Sequence, residues 1–83
     1  MAYKYIYVVH YYDTYEIDAF ESAESAINAG RDEVEAKAQN YERYAEPFKA
    51  EEIRKEFTES VDEYGAEYSV EDVVWCEKIR VFP

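Results

Sequence analysis

His10 and Cys76 are the only imidazole and the only thiol in the chain. A histidine-activated nucleophile needs a serine or cysteine within hydrogen-bond reach. Neither stands near His10, which falls in mid-run within Ala2 to Tyr12, A-Y-K-Y-I-Y-V-V-H-Y-Y. His10 therefore reads as a packed or hydrogen-bonded side chain. Cys76 alternates with Val74 and reads as a small buried apolar residue. The two glycines, Gly30 and Gly65, lie too far apart for a phosphate-binding loop. Asp62-Glu63-Tyr64-Gly65 lacks the alternating ligands of a calcium loop. A glycosidase-type acid pair has ample material, but nothing marks out a pair. No catalytic motif and no cofactor or metal pattern emerges, so the expectation is a protein without enzymatic activity.

The carboxylates carry more information as a charge distribution. Twenty acids stand against nine bases, a net charge of −11. Residues 21–64 hold −7 of it, thirteen acids against six bases, and each flanking segment holds −2. Glu52, Glu56, Glu59 and Glu63 step by four, three and four, which places them in a row up one helix face. The row spans about 16 Å at about 1.5 Å rise per residue. Asp62 and Glu51 flank it, and a looser set that includes Glu24, Asp32, Glu35, Glu42 and Glu46 precedes it. Like charges at this spacing cost a few tenths of a kcal/mol per pair. Such a field offers a basic surface something comparable to, though sparser than, the phosphates of DNA. The plain alternative is a solvated helix face that keeps a small protein in solution.

Tyrosine placement poses a similar choice. The chain has ten tyrosines and no leucine, so several tyrosines must serve the core. Tyr3, Tyr5, Tyr7 and Tyr11, with Glu16, Asp18 and Phe20 opposite, would form an aromatic and acidic face on the uncovered side of a sheet. Tyrosine suits protein interfaces, and carboxylates beside aromatic rings suit arginine. The alternative is exposed tyrosine retained for strand propensity alone.

Several elements must position these groups. Ala2–Tyr12 is the most β-prone run and is apolar on both faces, as a central strand requires. Asp13-Thr14 is a plausible tight turn into a second strand, Tyr15–Phe20. A two-residue loop pairs Tyr12 with Tyr15, His10 with Ile17 and Val8 with Ala19. It would gather Ile6, Val8, His10, Tyr12, Tyr15, Ile17 and Ala19 on the core face. A three-residue loop would put Tyr7, Val9 and Tyr11 there instead; the first register is adopted. Ser22 is a good N-cap. Ala23, Ala26, Ile27, Gly30, Val34, Ala38, Tyr41 and Ala45 mark an amphipathic helix that ends by Pro47. Ala50, Ile53, Phe57, Val61 and Tyr64 mark a second, stopped at Gly65. Ser69–Asp72 could form one helical turn. Val73–Phe82 alternates as a third strand, with Trp75 assigned to the core. The expected fold is α+β, a two-layer β-β-α-α-β domain spanning residues 1–83. Its three-stranded sheet has order 2-1-3, two helices pack on one face, and the last strand runs parallel to the first.

A lone cysteine, no signal-peptide pattern and no long apolar run lead to the expectation of a soluble cytoplasmic protein. The acidic excess disfavours nucleic acid and anionic membrane as direct partners. The F-x-S-x-E-S-A junction from Phe20 to Ala26, leading into an acidic helix, and the closing V-V-W-C-E-K-I-R-V resemble small acidic phage-encoded inhibitor proteins of the anti-CRISPR and anti-restriction kind. That resemblance implies a nucleic-acid mimic, acting in the host cytoplasm, that occupies the basic nucleic-acid-binding surface of an effector or nuclease. The residues expected to bind are Glu52, Glu56, Glu59, Asp62, Glu63, Glu35, Glu42, Glu16, Asp18, Tyr5, Tyr7 and Tyr11. The competing expectation is an assembly module, such as a homodimer, that pairs through a tyrosine-rich sheet face or a free edge strand.

Overall fold

The computed structural model describes residues 4–81. Tyr3 and Phe82, assigned above to strands, lie outside them. The elements are β1 (Lys4–Tyr11), β2 (Ile17–Phe20), α1 (Ala23–Arg43), α2 (Pro47–Tyr64), a 3-10 turn (Gly65–Glu67), β3 (Ser69–Val70) and β4 (Val74–Val81). The class is α+β. The sheet has four antiparallel strands in the order β2-β1-β4-β3.

The helices begin and end where their chemistry dictates. Ser22 Oγ accepts from the Ser25 amide at 3.1 Å, satisfying a free donor of the first turn of α1. Pro47 sits in the first turn of α2, where its missing N–H costs nothing. Gly65 closes α2 at φ +62°, a conformation glycine adopts without strain. Ala26, Gly30, Val34 and Ala38 of α1 are buried, as are Ala50, Ile53 and Phe57 of α2. Tyr64, expected on the α2 stripe, is exposed because the chain turns away at Gly65.

The segment Ser69–Asp72 is not helical. Ser69–Val70 is a strand, and the turn after it passes through Asp72 at φ +61° with the Val73 amide donating to the Val70 carbonyl at 3.0 Å. That reversal adds a fourth strand and sends β4 back antiparallel to β1. The expected three-stranded 2-1-3 sheet with a parallel last strand is corrected accordingly. A two-residue strand leaves no alternation to read, so a turn bracketed by Ser and Asp resembled a helix start.

The hairpin register is as expected: His10 pairs with Ile17 and Val8 with Ala19. The loop is longer, however. The Tyr11 amide donates to the Glu16 carbonyl at 3.0 Å, and Tyr12–Tyr15 form the loop, with Tyr15 at φ +58°.

The face assignment is reversed. Val9 of β1, Val70 of β3 and Val74 and Cys76 of β4 are buried beneath the helices, with Tyr7, Tyr11 and Phe20 packed against them. Ile6, Val8, His10 and Ile17 point away from the helices, and Trp75 and Ile79 of β4 join them. Trp75 is 40% exposed rather than a core residue. The reason lies in β2, whose Ile17/Ala19 against Glu16/Asp18 pattern pointed to the wrong side. It is an edge strand whose Glu16 and Asp18 open onto a groove beside α1, so these inward carboxylates stay exposed and impose no desolvation penalty. Small residues on α1 and α2 let the helices approach closely. Tyr68, which follows the 3-10 turn, fills the space between and is fully buried, its ring 5.2 Å edge-on from Phe57.

Candidate functional site

The tyrosines and acids expected to share a face do share one, but it is the helix-facing side. Tyr5, Tyr7, Tyr11 and Asp18 alternate with Ile6, Val8, His10 and Ile17 in the register above, and Glu16 lies across from Tyr11. The expectation that they line the uncovered side of the sheet is therefore corrected. Tyr7 and Tyr11 are half-buried against the core. Tyr5 lies under the Lys78 ammonium, 4.2 Å from the ring centroid.

Around Tyr11 the inward face opens. Between β2 and α1 runs a groove of about 640 Å³, lined by Tyr11, Glu16, Asp18 and Phe20 on the sheet side and by Asn28, Asp32 and Glu33 on the helix side. Tyr11 Oη donates to Asp18 Oδ2 at 2.8 Å and fixes that carboxylate at the groove wall. Burial, followed by the hydrogen bond to Asp18 and the charges of Asp18, Glu33 and Asp32, holds the Tyr11 phenol well above the usual tyrosine range. Burial and then the charge of Asp13 push the Glu33 carboxyl up, and Lys37 partly opposes this. Lys37 is itself engaged 3.1 Å from Asp13 Oδ2. Among the described residues, no cation stands within salt-bridge distance of Glu16, Asp18, Asp32 or Glu33. No group of three or more His, Cys, Asp or Glu among those residues could hold a metal ion. Carboxylates spread along a groove beside two aromatic rings suit an extended cation such as a guanidinium, which takes oxygen partners at its edge and a ring at its face.

The helix carboxylates divide differently. Arg54 lies between the helices and donates to Glu35 through Nη2 at 2.6 Å and Nε at 3.1 Å. It also reaches Glu42 at 3.1 Å and Glu51 at 3.0 Å through Nη1. This guanidinium holds the Glu35 carboxyl below the usual glutamate range. Glu35 and Glu42, expected to face a partner, thus already hold a cation. Glu56 Oε2 accepts the Glu71 amide at 2.7 Å and braces the β3–β4 turn. Glu59 has Lys55 at 3.8 Å. Glu52, Asp62 and Glu63 remain on the exposed surface of α2 without a salt bridge among the described residues.

Asp32 was counted in the sequence only within the looser acidic set of the first helix, and Glu33 was not singled out at all. On a helix each is an ordinary surface acid, and only the packing of α1 over β1 brings them opposite Glu16 and Asp18. No protein-family model, curated protein or solved structure matches this chain. Among the described residues, no helix is long and apolar enough to cross a membrane.

Proposed function

We propose that the chain is a non-catalytic acidic binding protein that receives cationic side chains of a basic partner in the groove between β2 and α1. The partner class is a nucleic-acid-binding effector or nuclease, and the carboxylates stand where phosphates would. The observation that carries this reading is the convergence of Glu16, Asp18, Asp32 and Glu33 around Tyr11 and Phe20, with no cation among the described residues within salt-bridge distance of them. The net charge of −11 adds long-range steering toward a basic surface. Glu52, Asp62 and Glu63 extend the acidic surface on α2, while Glu35, Glu42 and Glu56 serve the fold.

A labelled oligoarginine peptide, followed by fluorescence anisotropy, tests the site. Asp18→Asn, Asp32→Asn and Glu33→Gln together should weaken binding several-fold more than Glu52→Gln, Glu59→Gln and Glu63→Gln, which remove the same charge. Binding should weaken as salt rises. Equal losses in the two triple variants would show a diffuse acidic surface rather than a groove, and would overturn the assignment.

A further inference from the structure

At the hairpin end of the sheet, aromatic rings close around a small concavity of about 200 Å³. His10, Tyr11, Tyr12, Tyr15 and Trp75 line it, and Glu16 is the one carboxylate among the lining residues. The Tyr12 and Tyr15 rings stand 6.4 Å apart, tilted by 41°. The His10 and Trp75 rings stack, with centroids 4.6 Å apart and planes 1° from parallel. Glu77 Oε2 lies 2.5 Å from His10 Nε2 and holds the imidazole in that stack.

The backbone fixes the loop that carries the tyrosines. The Tyr12 amide donates to the Val73 carbonyl at 3.1 Å, and the Tyr15 amide to the Tyr11 carbonyl at 3.0 Å. The Glu16 amide donates to Thr14 Oγ1 at 3.3 Å. Tyr15 takes φ +58°, a left-handed conformation uncommon for a bulky residue, and is 87% exposed. A loop that only reversed the chain would carry glycine or asparagine there. Neither burial nor turn chemistry accounts for an aromatic ring at that position.

The walls select the ligand by its charge and hydration. Aromatic faces carry a negative quadrupole and attract a cation set against them. Glu16 is exposed, no cation among the described residues stands within salt-bridge distance of it, and the chain has a net charge of −11. A primary ammonium is compact and strongly hydrated, and ring faces do not replace its water. A guanidinium takes oxygens along its edge, which the groove between β2 and α1 supplies and a single carboxylate does not. A trimethylated ammonium has no donors to satisfy and presents charged methyl groups to the rings.

We propose that this pocket binds a trimethylated ammonium group, with Tyr12, Tyr15 and Trp75 as walls and Glu16 as the countercharge. The chemistry is shared by free quaternary amines such as choline and by the trimethyllysine side chain of a peptide. Tyr11 and Glu16 line both the pocket and the groove, whereas Asp18, Asp32 and Glu33 line the groove and not the pocket.

Titration of the intact chain at constant ionic strength tests it, read by emission from Trp75, the only tryptophan, and by the methyl proton linewidth of the ligand. Choline should bind saturably, and its neutral tert-butyl analogue about fivefold or more weaker. Tyr12→Leu and Tyr15→Leu keep apolar volume without the ring, and each should weaken choline binding about fivefold or more, while Tyr15→Phe binds like wild type. Asp18→Asn, Asp32→Asn and Glu33→Gln together should leave choline affinity within about twofold, so failure of the groove and failure of the pocket are told apart. A neutral peptide carrying trimethyllysine should bind about fivefold or more tighter than its unmethylated counterpart. Both sources uphold the pocket: a peptide that binds tighter than choline assigns the group to a protein side chain, and one that binds no tighter assigns it to a free amine. No saturable response to choline or to the trimethyllysine peptide overturns the proposal. Equal affinity for choline and its neutral analogue, or for the two peptides, overturns it too, as does choline binding indifferent to both leucine substitutions.

Discussion

The Tyr68 hydroxyl occupies the space beside Gly30, so that a Cβ built on Gly30 would lie 2.3 Å from the Tyr68 oxygen. The same hydroxyl donates to the Ala26 carbonyl at 2.8 Å, one turn earlier on α1. Gly30 is thus required in mid-helix, where glycine otherwise costs about 1 kcal/mol relative to alanine. Gly30→Ala should lower stability by about 1–3 kcal/mol through overpacking, despite the gain in helix propensity. Tyr68→Phe should cost less, about 0.5–1.5 kcal/mol for the lost hydrogen bond. Urea unfolding of the two variants would rank them.

Glu33 links the groove to stability. Its folded-state pKa is raised, so the folded chain holds this proton more tightly than the unfolded chain does. The charged carboxylate therefore destabilises above its folded pKa, and the penalty fades as pH falls to the ordinary glutamate value. Glu33→Gln should raise the melting temperature at neutral pH and leave it unchanged below the ordinary glutamate range. Calorimetry at the two pH values decides, and a neutral-pH decrease would contradict the assignment.

Arg54 acts in the opposite direction. Glu35 has its pKa lowered by Arg54, so its contribution is present above the ordinary glutamate pKa and is lost as pH falls through the folded value. Arg54→Gln should destabilise the chain at neutral pH by leaving Glu35, Glu42 and Glu51 to repel one another. The difference from wild type should shrink in acid. Denaturant titration at two pH values reads both effects.

Glu56 should behave as a structural residue. Glu56→Ala leaves the Glu71 amide without its acceptor, and amide exchange in the 69–73 turn should accelerate while α1 keeps its protection. Equal exchange in wild type and variant would show that the contact does not brace the turn.

Burial first, and then the charges of Glu67 and Glu77, push the Cys76 thiol up to about 11. The thiolate is the reactive form. Cys76 should therefore resist alkylation at neutral pH in the folded protein and react promptly in urea. The alkylation rate then reports opening of the sheet under α1 and α2. Fast reaction of the native chain would contradict its burial.

Local chemistry was legible in the sequence wherever neighbours in the chain decide the outcome. Ser22 as a cap, Pro47 between the helices, Gly65 as a stop and the His10–Ile17 register all follow from contacts a few residues apart. The buried stripes of α1 and α2 follow as well, since a helix with one apolar face can bury only that face. Three features depended on the tertiary structure. Because β1 is apolar on both sides, its own pattern could not choose which side the helices cover; that choice followed from Val70, Val74 and Cys76 meeting the helices' small residues. The reversal at Asp72 set the direction of β4, because a two-residue strand is too short to show a period. Which carboxylates hold a cation was decided last. Charge composition fixes their number, but only packing brings Arg54 to Glu35, Glu42 and Glu51 and leaves Glu16, Asp18, Asp32 and Glu33 facing one another across a groove.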